Sequence, residues 1–329
     1  MIEDTLYLRW IMTRPRSWPT AAGAFAGYAL ARMRAADGQA PETTALAWQA
    51  RSAASWPDSI RLASRVLPID GGIDWAQAFG DPEDTSALHR FGWLLRERLA
   101  NPARVQHDGL AWIDDWVAAD RAGRIPAAGW DAYSTSERMV NWLVGLRGTP
   151  LTANLRMEVD RQAEHLLAHL EDRGRLTNNH ILNNARALYM AGVFFGVERF
   201  ARIGRAIVER FHGELFTSGD FLREGSSHYH FLLTRSYLEL LWCAREARDE
   251  PFESWLLPRI ERMAAVAEAF LVRNGSGLTM PLIGDISPDF EPEWFYGLVL
   301  VASRWTSWRT VLDTVLFPSG WHSLWLVSR

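Results

Sequence analysis

The sequence predicts an all-α protein made of sequential antiparallel helix pairs. Apolar residues recur at helical spacing along most of its 329 residues, and short connections bearing Gly or Pro separate the helical segments. Short connections place consecutive helices side by side and antiparallel. Strand-like alternation is weak except near the C-terminus, and no fixed-period repeat of the solenoid kind is present. Periodicity alone does not choose among a bundle, a solenoid and an α/α toroid.

Each predicted helix has its own apolar stripe. An Ala-rich helix near residues 21–35 ends at a Gly and a Pro. Leu110, Ile113 and Trp116 share one face of a helix that ends before Gly123. An Asn-rich helix opens near residue 177 and ends at Gly196. Further helices are predicted over residues 136–146, 155–170, 198–211, 229–247 and 252–272. A strand pair is predicted near the end, over residues 314–317 and 322–327.

Composition excludes several classes of protein. Hydrophobic residues make up 48% and charged residues 22%, as in an ordinary globular chain of one large or two small domains. The net charge of -4 argues against a dedicated nucleic-acid binder. No apolar run reaches the roughly 18 residues of a membrane span, and the first residues lack the basic segment of a signal peptide. Cys243, the single cysteine, excludes a disulfide within the chain.

The basic residues are all Arg, since the sequence contains no Lys among its 35 cationic side chains. Each cation is therefore a planar fork that suits carboxylates or sulfates.

Four Asn and one His crowd the start of the Asn-rich helix. They are Asn178, Asn179, His180, Asn183 and Asn184. One Asn suffices for a cap, and each buried carboxamide without a partner costs roughly 1–3 kcal/mol. One interpretation is a wall of hydrogen-bonding groups that faces a polar ligand. The other is a cap followed by a solvated helix face.

A second polar group precedes a long helix at residues 223–230. Tyr229 lies between His228 and His230, with Arg223 and Glu224 just upstream. Neighbouring cations lower the pKa of a phenol, so these residues predict a Tyr equipped for proton transfer. The alternative is a Ser cap with polar residues in the first helical turn.

A third group lies at residues 129–142. Arg138 and Asn141 are one turn apart on a helix, and Trp130 and Tyr133 lie on the chain that enters it. Such residues can hold a sugar acid, with Arg on the carboxylate and an aromatic ring under the sugar. A purely structural helix start fits this segment equally well. Asp285 and Asp289 could bind a cation, but turn and capping roles are favoured for both.

Taken together, these groups resemble the heparinase II/III-like family of polysaccharide lyases. Residues 136–142 (SERMVNW) resemble the family's Ser-x-Arg-x-x-Asn-Trp helix, and residues 179–182 (NHIL) resemble its Asn-His-Leu helix. Residues 224–230 resemble its Glu-x-Ser-x-x-Tyr-His segment. His89 and Arg90 resemble part of an upstream motif. The order of the motifs is that of the family, and the resemblance runs from about residue 70 to the C-terminus.

The resemblance implies an incomplete (α/α) toroid over residues 69–313. Accessory helices would occupy residues 1–68, and residues 314–329 would begin a truncated β domain. Lyases of this family take further site groups from a β-sandwich, so another chain could supply that domain. The family is commonly periplasmic or secreted, whereas the sequence leaves localisation open.

The implied chemistry is β-elimination at a uronic acid in an acidic polysaccharide, without a metal or other cofactor. Asn179 would neutralise the uronate carboxylate, Tyr229 would shuttle a proton, and His180 would act as base or as partner to Tyr229. The remaining residues implied in substrate binding are Trp130, Tyr133, Arg138, Asn141, Asn178, Asn183, Arg223, Glu224, His228, His230, His89 and Arg90.

Two alternatives stay open at this stage. The chain could be a non-catalytic or truncated toroid that binds polysaccharide without cleaving it. A weaker alternative is an α-toroid glycoside hydrolase, which requires two carboxylic acids roughly 5–10 Å apart across a cleft.

Overall fold

The computed structural model describes residues 55–274, 277–287 and 290. Within these residues the chain forms nine α-helices and two short hairpins. The helices are α1 Pro82–Arg90, α2 Gly92–Ala100, α3 Pro102–Arg121, α4 Ala132–Gly145, α5 Ala153–Ala168, α6 His180–Phe195, α7 Glu198–Leu215, α8 Ser227–Glu246 and α9 Glu250–Ala269. The predicted helix near residues 21–35 and the predicted strand pair at 314–327 lie outside the described residues.

The hairpins flank the helices in sequence. Strands β1 (Ser59–Arg61) and β2 (Val66–Pro68) pair antiparallel with Ile60 opposite Leu67. Strands β3 (Val272–Asn274) and β4 (Gly277–Thr279) pair in the same way. The first hairpin lies at the end of the segment 1–68, which was assigned to accessory helices; residues 1–54 of that segment lie outside the described residues.

The helices form an inner and an outer layer. Inner helices α4, α6 and α8 contact one another in succession, and nearly all their side chains are buried. Outer helices α5, α7 and α9 each follow an inner helix after a short connection and pack against it. Helix α2 packs against inner helix α4. Helix α3 follows α2 after a short connection and packs against it. This double layer of helix pairs is the all-α, toroid-like fold that the sequence predicts.

Two glycines bring α6 and α7 into backbone contact. A Cβ at Gly192 would lie 2.2 Å from the backbone nitrogen of Ala201. A Cβ at Gly204 would lie 2.5 Å from the Tyr189 nitrogen and the Ala185 oxygen. Only glycine fits where two backbones approach this closely.

A buried cation joins the three inner helices. Arg186 of α6 is fully buried and donates to Glu137 of α4 at 2.5 Å and to Glu239 of α8 at 2.7 Å. It also donates to Asn183 at 2.6 Å and to Ser236 at 3.0 Å. Because charges leave water only when paired, this network fixes how the inner helices lie against one another.

Helix boundaries differ from the predicted ones for local reasons. Helix α4 begins at Ala132 rather than at residue 136, because the Asp131 carboxylate accepts from the Ser134 backbone nitrogen. Helix α7 continues through Gly213, which was expected to lie beyond it. The last helix ends at Ala269, and Val272 belongs to β3 instead.

None of the described helices has the length and apolar character that crossing a membrane requires.

Candidate functional site

The N-terminal ends of inner helices α4, α6 and α8 meet at one end of the inner layer. Tyr133 of α4 and His180 of α6 have ring centroids 4.5 Å apart. Asn179, just before α6, contacts Glu224 in the connection that leads into α8. Helix N-termini carry partial positive charge and unpaired N–H groups, so their convergence favours an anionic ligand.

Glu224 holds Asn179 by two hydrogen bonds. The Asn179 backbone nitrogen donates to Oε1 and its side-chain Nδ2 donates to Oε2, each at 2.7 Å. Asn179 is 4% exposed. Among the described residues its carboxamide forms no other side-chain hydrogen bond.

Glu171 orients His180. The His180 Nδ1 lies 2.8 Å from Glu171 Oε1, and the imidazole is 37% exposed. Asn184 anchors the same glutamate by donating to Oε2 at 3.3 Å and by accepting from its backbone nitrogen at 3.0 Å. Burial opposes ionisation of Glu171, but the hydrogen bonds from His180 and Asn184 hold its pKa below the ordinary value. With Nδ1 engaged, Nε2 is the imidazole atom that can take a proton from a ligand.

An arginine and an aromatic ring complete this side of the site. The Arg90 guanidinium lies 4.9 Å from the centroid of the Tyr133 ring, so the tyrosine is contacted by both Arg90 and His180. Arg90 also donates to Glu83 at 3.0 Å and to Ser134 at 3.3 Å. The structure thus brings three sequence-predicted residues, Arg90, Tyr133 and His180, into one group.

Tyr229 lies half-buried in the first turn of α8. Burial, followed by the charges of Asp285, Glu224 and Glu83, raises the pKa of Tyr229 to about 12. The sequence predicted the opposite direction, from nearby cations. Tyr229 therefore carries its proton at neutral pH.

The three residues expected to act on Tyr229 as cations form hydrogen bonds elsewhere. Arg223 donates to the Phe216 carbonyl at 2.9 Å. Buried His228 donates from Nε2 to the Phe290 carbonyl at 2.9 Å, and its Nδ1 accepts from the Ser287 nitrogen at 3.2 Å. Buried His230 donates from Nε2 to the carbonyl of Met263 in α9, also at 2.9 Å.

Arg138 lies in the interior rather than on the site surface. It is fully buried, with its guanidinium 4.2 Å from the Trp116 ring centroid. It donates to the Gly129 carbonyl at 2.6 Å, the Gln162 side chain at 3.0 Å and the His89 carbonyl at 3.3 Å. This position excludes direct contact with a sugar, and Arg138 instead holds the chain that enters α4.

Three other residues predicted to bind substrate instead form hydrogen bonds within the protein, close to Arg138. The His89 ring accepts from Trp116 at 3.1 Å, and the Asn141 amide donates to the Arg90 carbonyl at 2.8 Å. Trp130 donates to Asp120 at 2.7 Å. Buried His89 and Asn141 therefore position Arg90 and its neighbours without facing solvent.

The remaining carboxamides of the Asn-rich segment bond groups of the protein itself. Asn178 accepts from the His180 backbone nitrogen at 3.1 Å and thereby caps α6. Asn183 accepts from Arg186 inside the buried network. Asn179 alone is held in a manner that suits a ligand.

Sequence reasoning missed Glu171 and gave Asp285 only a turn or capping role. Glu171 lies in a polar connection nine residues before His180, and Asp285 is 56 residues beyond Tyr229. A carboxylate close upstream of a candidate His was the available signal for Glu171. No local signal pairs Asp285 with Tyr229.

No protein-family model and no curated protein matches the sequence. The structure is similar to heparan sulfate lyase HepC from Pedobacter heparinus, with a TM-score of 0.50 and 17% identity over 90% of this chain and 50% of that one. It is also similar to a heparinase III, with a TM-score of 0.51 and 17% identity over 82% of this chain and 48% of that one.

The present chain thus spans about half the length of these two lyases. At such identity the likeness establishes the fold, which is the fold implied by the resemblance to the heparinase II/III-like family.

Proposed function

We propose that this chain is the helical part of a polysaccharide lyase, which cleaves a uronic-acid-containing polysaccharide by β-elimination. The observation that carries the proposal is the placement of a carboxamide, an imidazole and a protonated phenol at the neighbouring N-termini of α6 and α8. These groups are Asn179, His180 and Tyr229. Similarity in fold to proteins named as a heparan sulfate lyase and a heparinase III supports the same class of reaction.

The reaction needs three kinds of group. A base takes the proton from C5 of the uronic acid, and the electron pair of that bond forms the C4=C5 double bond. The C4–O bond then breaks, and an acid protonates the departing oxygen. Negative charge gathers on the uronate carboxylate on the way, so a hydrogen-bond donor there lowers the barrier.

Asn179 supplies that donor. Its amide is fixed by Glu224 and keeps one hydrogen for the substrate carboxylate. The adjoining start of α6 adds the partial positive charge of a helix N-terminus. Exposed Arg173 lies shortly before Asn179 in the chain, and exposed Arg223 adjoins Glu224. Both positive charges favour a polyanionic substrate.

His180 and Tyr229 divide the proton transfers between base and acid. His180 takes the C5 proton at Nε2, and Glu171 on Nδ1 stabilises the imidazolium that forms. Tyr229 holds its proton at neutral pH and gives it to the departing oxygen.

The test is an absorbance assay for unsaturated uronate against a panel of acidic polysaccharides. Tyr229→Phe should lower the rate by about 10²–10⁴-fold, the usual contribution of a general acid, and should leave binding nearly unchanged. Tyr189→Phe is the matched control, because the Tyr189 hydroxyl bonds Asp249 on the outer side of α6.

Unchanged product formation by Tyr229→Phe would refute the assigned roles. Silence of the wild-type chain on every polysaccharide, with glycan binding retained, would instead favour a non-catalytic binding protein.

A further inference from the structure

The connection between α5 and α6 contains an ordered turn, and we call residues 172–177 the arginine turn. The Asp172 carboxylate accepts hydrogen bonds from the Gly174 nitrogen and from the Thr177 hydroxyl, each at 3.3 Å. The same hydroxyl accepts from the Arg173 nitrogen at 2.8 Å. A further bond closes the turn, because the Thr177 nitrogen donates to the Gly174 carbonyl at 3.3 Å. The backbone of the arginine turn is therefore fixed by its own hydrogen bonds.

This fixed backbone exposes three large side chains, those of Arg173, Arg175 and Leu176. Leu176 is 79% exposed, the highest value among the large apolar side chains that the structure describes. The Arg173 guanidinium lies 3.6 Å from the Glu171 carboxylate and remains 69% exposed. The Arg175 side chain forms no hydrogen bond or ion pair with a described residue. A single exposed leucine is ordinary on a protein surface, but here two cations stand beside it.

The arginine turn lies at the margin of the candidate site. Leu176 precedes Asn179 by three residues, so their Cα atoms lie within about 11 Å of each other. At the other end of the turn, Arg173 contacts Glu171, whose carboxylate lies 2.8 Å from the His180 ring. A ligand that reaches Asn179 and His180 can therefore extend over the turn.

The chemistry of this margin fits an acidic glycan. A guanidinium forms paired hydrogen bonds with a carboxylate or a sulfate, and an aliphatic side chain covers the C–H face of a sugar ring. The chain as a whole has a net charge of -4, so a locally positive margin is not the consequence of a basic protein. Charge complementarity therefore favours an anionic ligand at this position.

We infer that the arginine turn is a subsite for a sugar residue next to the one that reacts. Arg173 and Arg175 contact its anionic groups, and Leu176 lies against its ring. This inference deepens the proposed function and rests on it, because the occupant is a neighbouring residue of the same acidic polysaccharide. Contacts away from the reacting atoms are made equally in the ground state and the transition state, so the subsite lowers KM and leaves kcat unchanged.

The first test measures binding by isothermal titration calorimetry in the Tyr229→Phe background, which keeps the glycan intact. The probes are a heparin decasaccharide, which is sulfated, and an alginate decasaccharide, which is not. For the probe that binds more tightly, Arg175→Gln should raise Kd about 2–5-fold, the contribution of one exposed charge pair. The affinity should also fall less steeply with salt, because one counterion fewer is released. Leu176→Ala should raise Kd about 3–10-fold without changing the salt dependence.

Matched controls lie at the opposite end of the inner layer. Leu151→Ala removes a 39% exposed leucine that follows α4, and Arg248→Gln removes an exposed arginine that follows α8. Both controls should leave Kd unchanged.

The second test uses the reaction and the otherwise unaltered chain. Arg175→Gln and Leu176→Ala should raise KM by the factors found for Kd and leave kcat unchanged. Damage to Glu171 or His180 would instead lower kcat, so the two parameters separate a subsite from a disturbed reactive centre.

Unchanged Kd for both probes in Arg175→Gln and Leu176→Ala would overturn the inference, and so would equal losses in the two controls. Failure of the parent protein to bind either probe would overturn it as well. A chain that releases no unsaturated uronate, yet binds a probe more weakly in the two turn variants, would refute the proposed lyase activity and retain the glycan subsite.

Discussion

Replacing Arg186 by Met should lower the free energy of unfolding by about 3–5 kcal/mol, the usual consequence of leaving a buried charge without its partner. Arg186 bonds Glu137, Asn183, Ser236 and Glu239 from the middle of the inner layer. Met fills a similar volume, so the loss measures the polar network rather than a cavity.

Most of the decrease in the free energy of unfolding should come from the Glu137 carboxylate, which stays buried after its partner is removed. Its Oε1 bonds Arg186, and its buried Oε2 has no hydrogen-bond partner within the described residues. Glu239 keeps a second bond, from Arg235 Nε at 2.8 Å. Converting Glu137 to Gln in the Arg186→Met background should therefore recover part of the stability, because an amide is less costly to bury than a carboxylate.

Urea unfolding followed by circular dichroism measures the effect. The matched control is Arg199→Met, because Arg199 bonds Glu164 at 2.6 and 3.1 Å while the two side chains are 42% and 46% exposed. Exposed pairs contribute about 0–1 kcal/mol. An Arg186→Met variant within about 1 kcal/mol of this control would refute the argument that the network ties the inner helices together.

Three further outcomes are expected. Gly192→Ala should separate α6 from α7 and lower the free energy of unfolding by about 3 kcal/mol, whereas Gly213→Ala, with open space around it, should raise it by about 0.5–1 kcal/mol. Burial, with the charge of Arg138, lowers the pKa of His89 to about 3. The unfolded chain therefore binds the extra proton first, and stability should fall as pH drops from about 6.5 toward 3, less steeply in His89→Asn. Glu224→Gln should lower kcat/KM about 10–100-fold, because one amide donor would then face the Asn179 amide donor.

Each of these outcomes has a direct contradiction. Equal unfolding midpoints for the two glycine variants would mean that the helices separate at little cost. An identical pH slope in wild type and His89→Asn would assign the acid sensitivity to other groups. Wild-type kcat/KM in Glu224→Gln would remove the argument that Glu224 orients the amide.

The helices were predictable because their apolar residues follow a 3.6-residue period over many turns. The Asn-rich segment and the residues around Tyr229 were likewise predictable as special, because each carries more polar side chains than a helix start requires. Both sit at inner-helix N-termini, where the structure brings Asn179 next to Glu224.

Partners distant in the chain were not predictable. Residues 281–287 cross the start of α8, where the Ser226 hydroxyl donates to the Asp285 carbonyl, and no periodicity encodes such a crossing. Arg138 shows the reverse error: an arginine among tryptophans suggested a sugar site, but its buried guanidinium stacks on Trp116 and Trp130 inside the protein. A sequence does not distinguish an arginine that stacks inside the protein from one that stacks at its surface.

Residues 281–287 cross the start of α8 through bonds from Ser226 and Ser227, so this contact forms late in synthesis. Asp285 leaves the ribosome about 56 residues after Tyr229, a delay of about 3–11 s at ordinary rates of translation. Helices α4, α6 and α8 precede it and can pair before residues 281–287 reach them. The crossing segment is thus added to a helical layer that is already assembled.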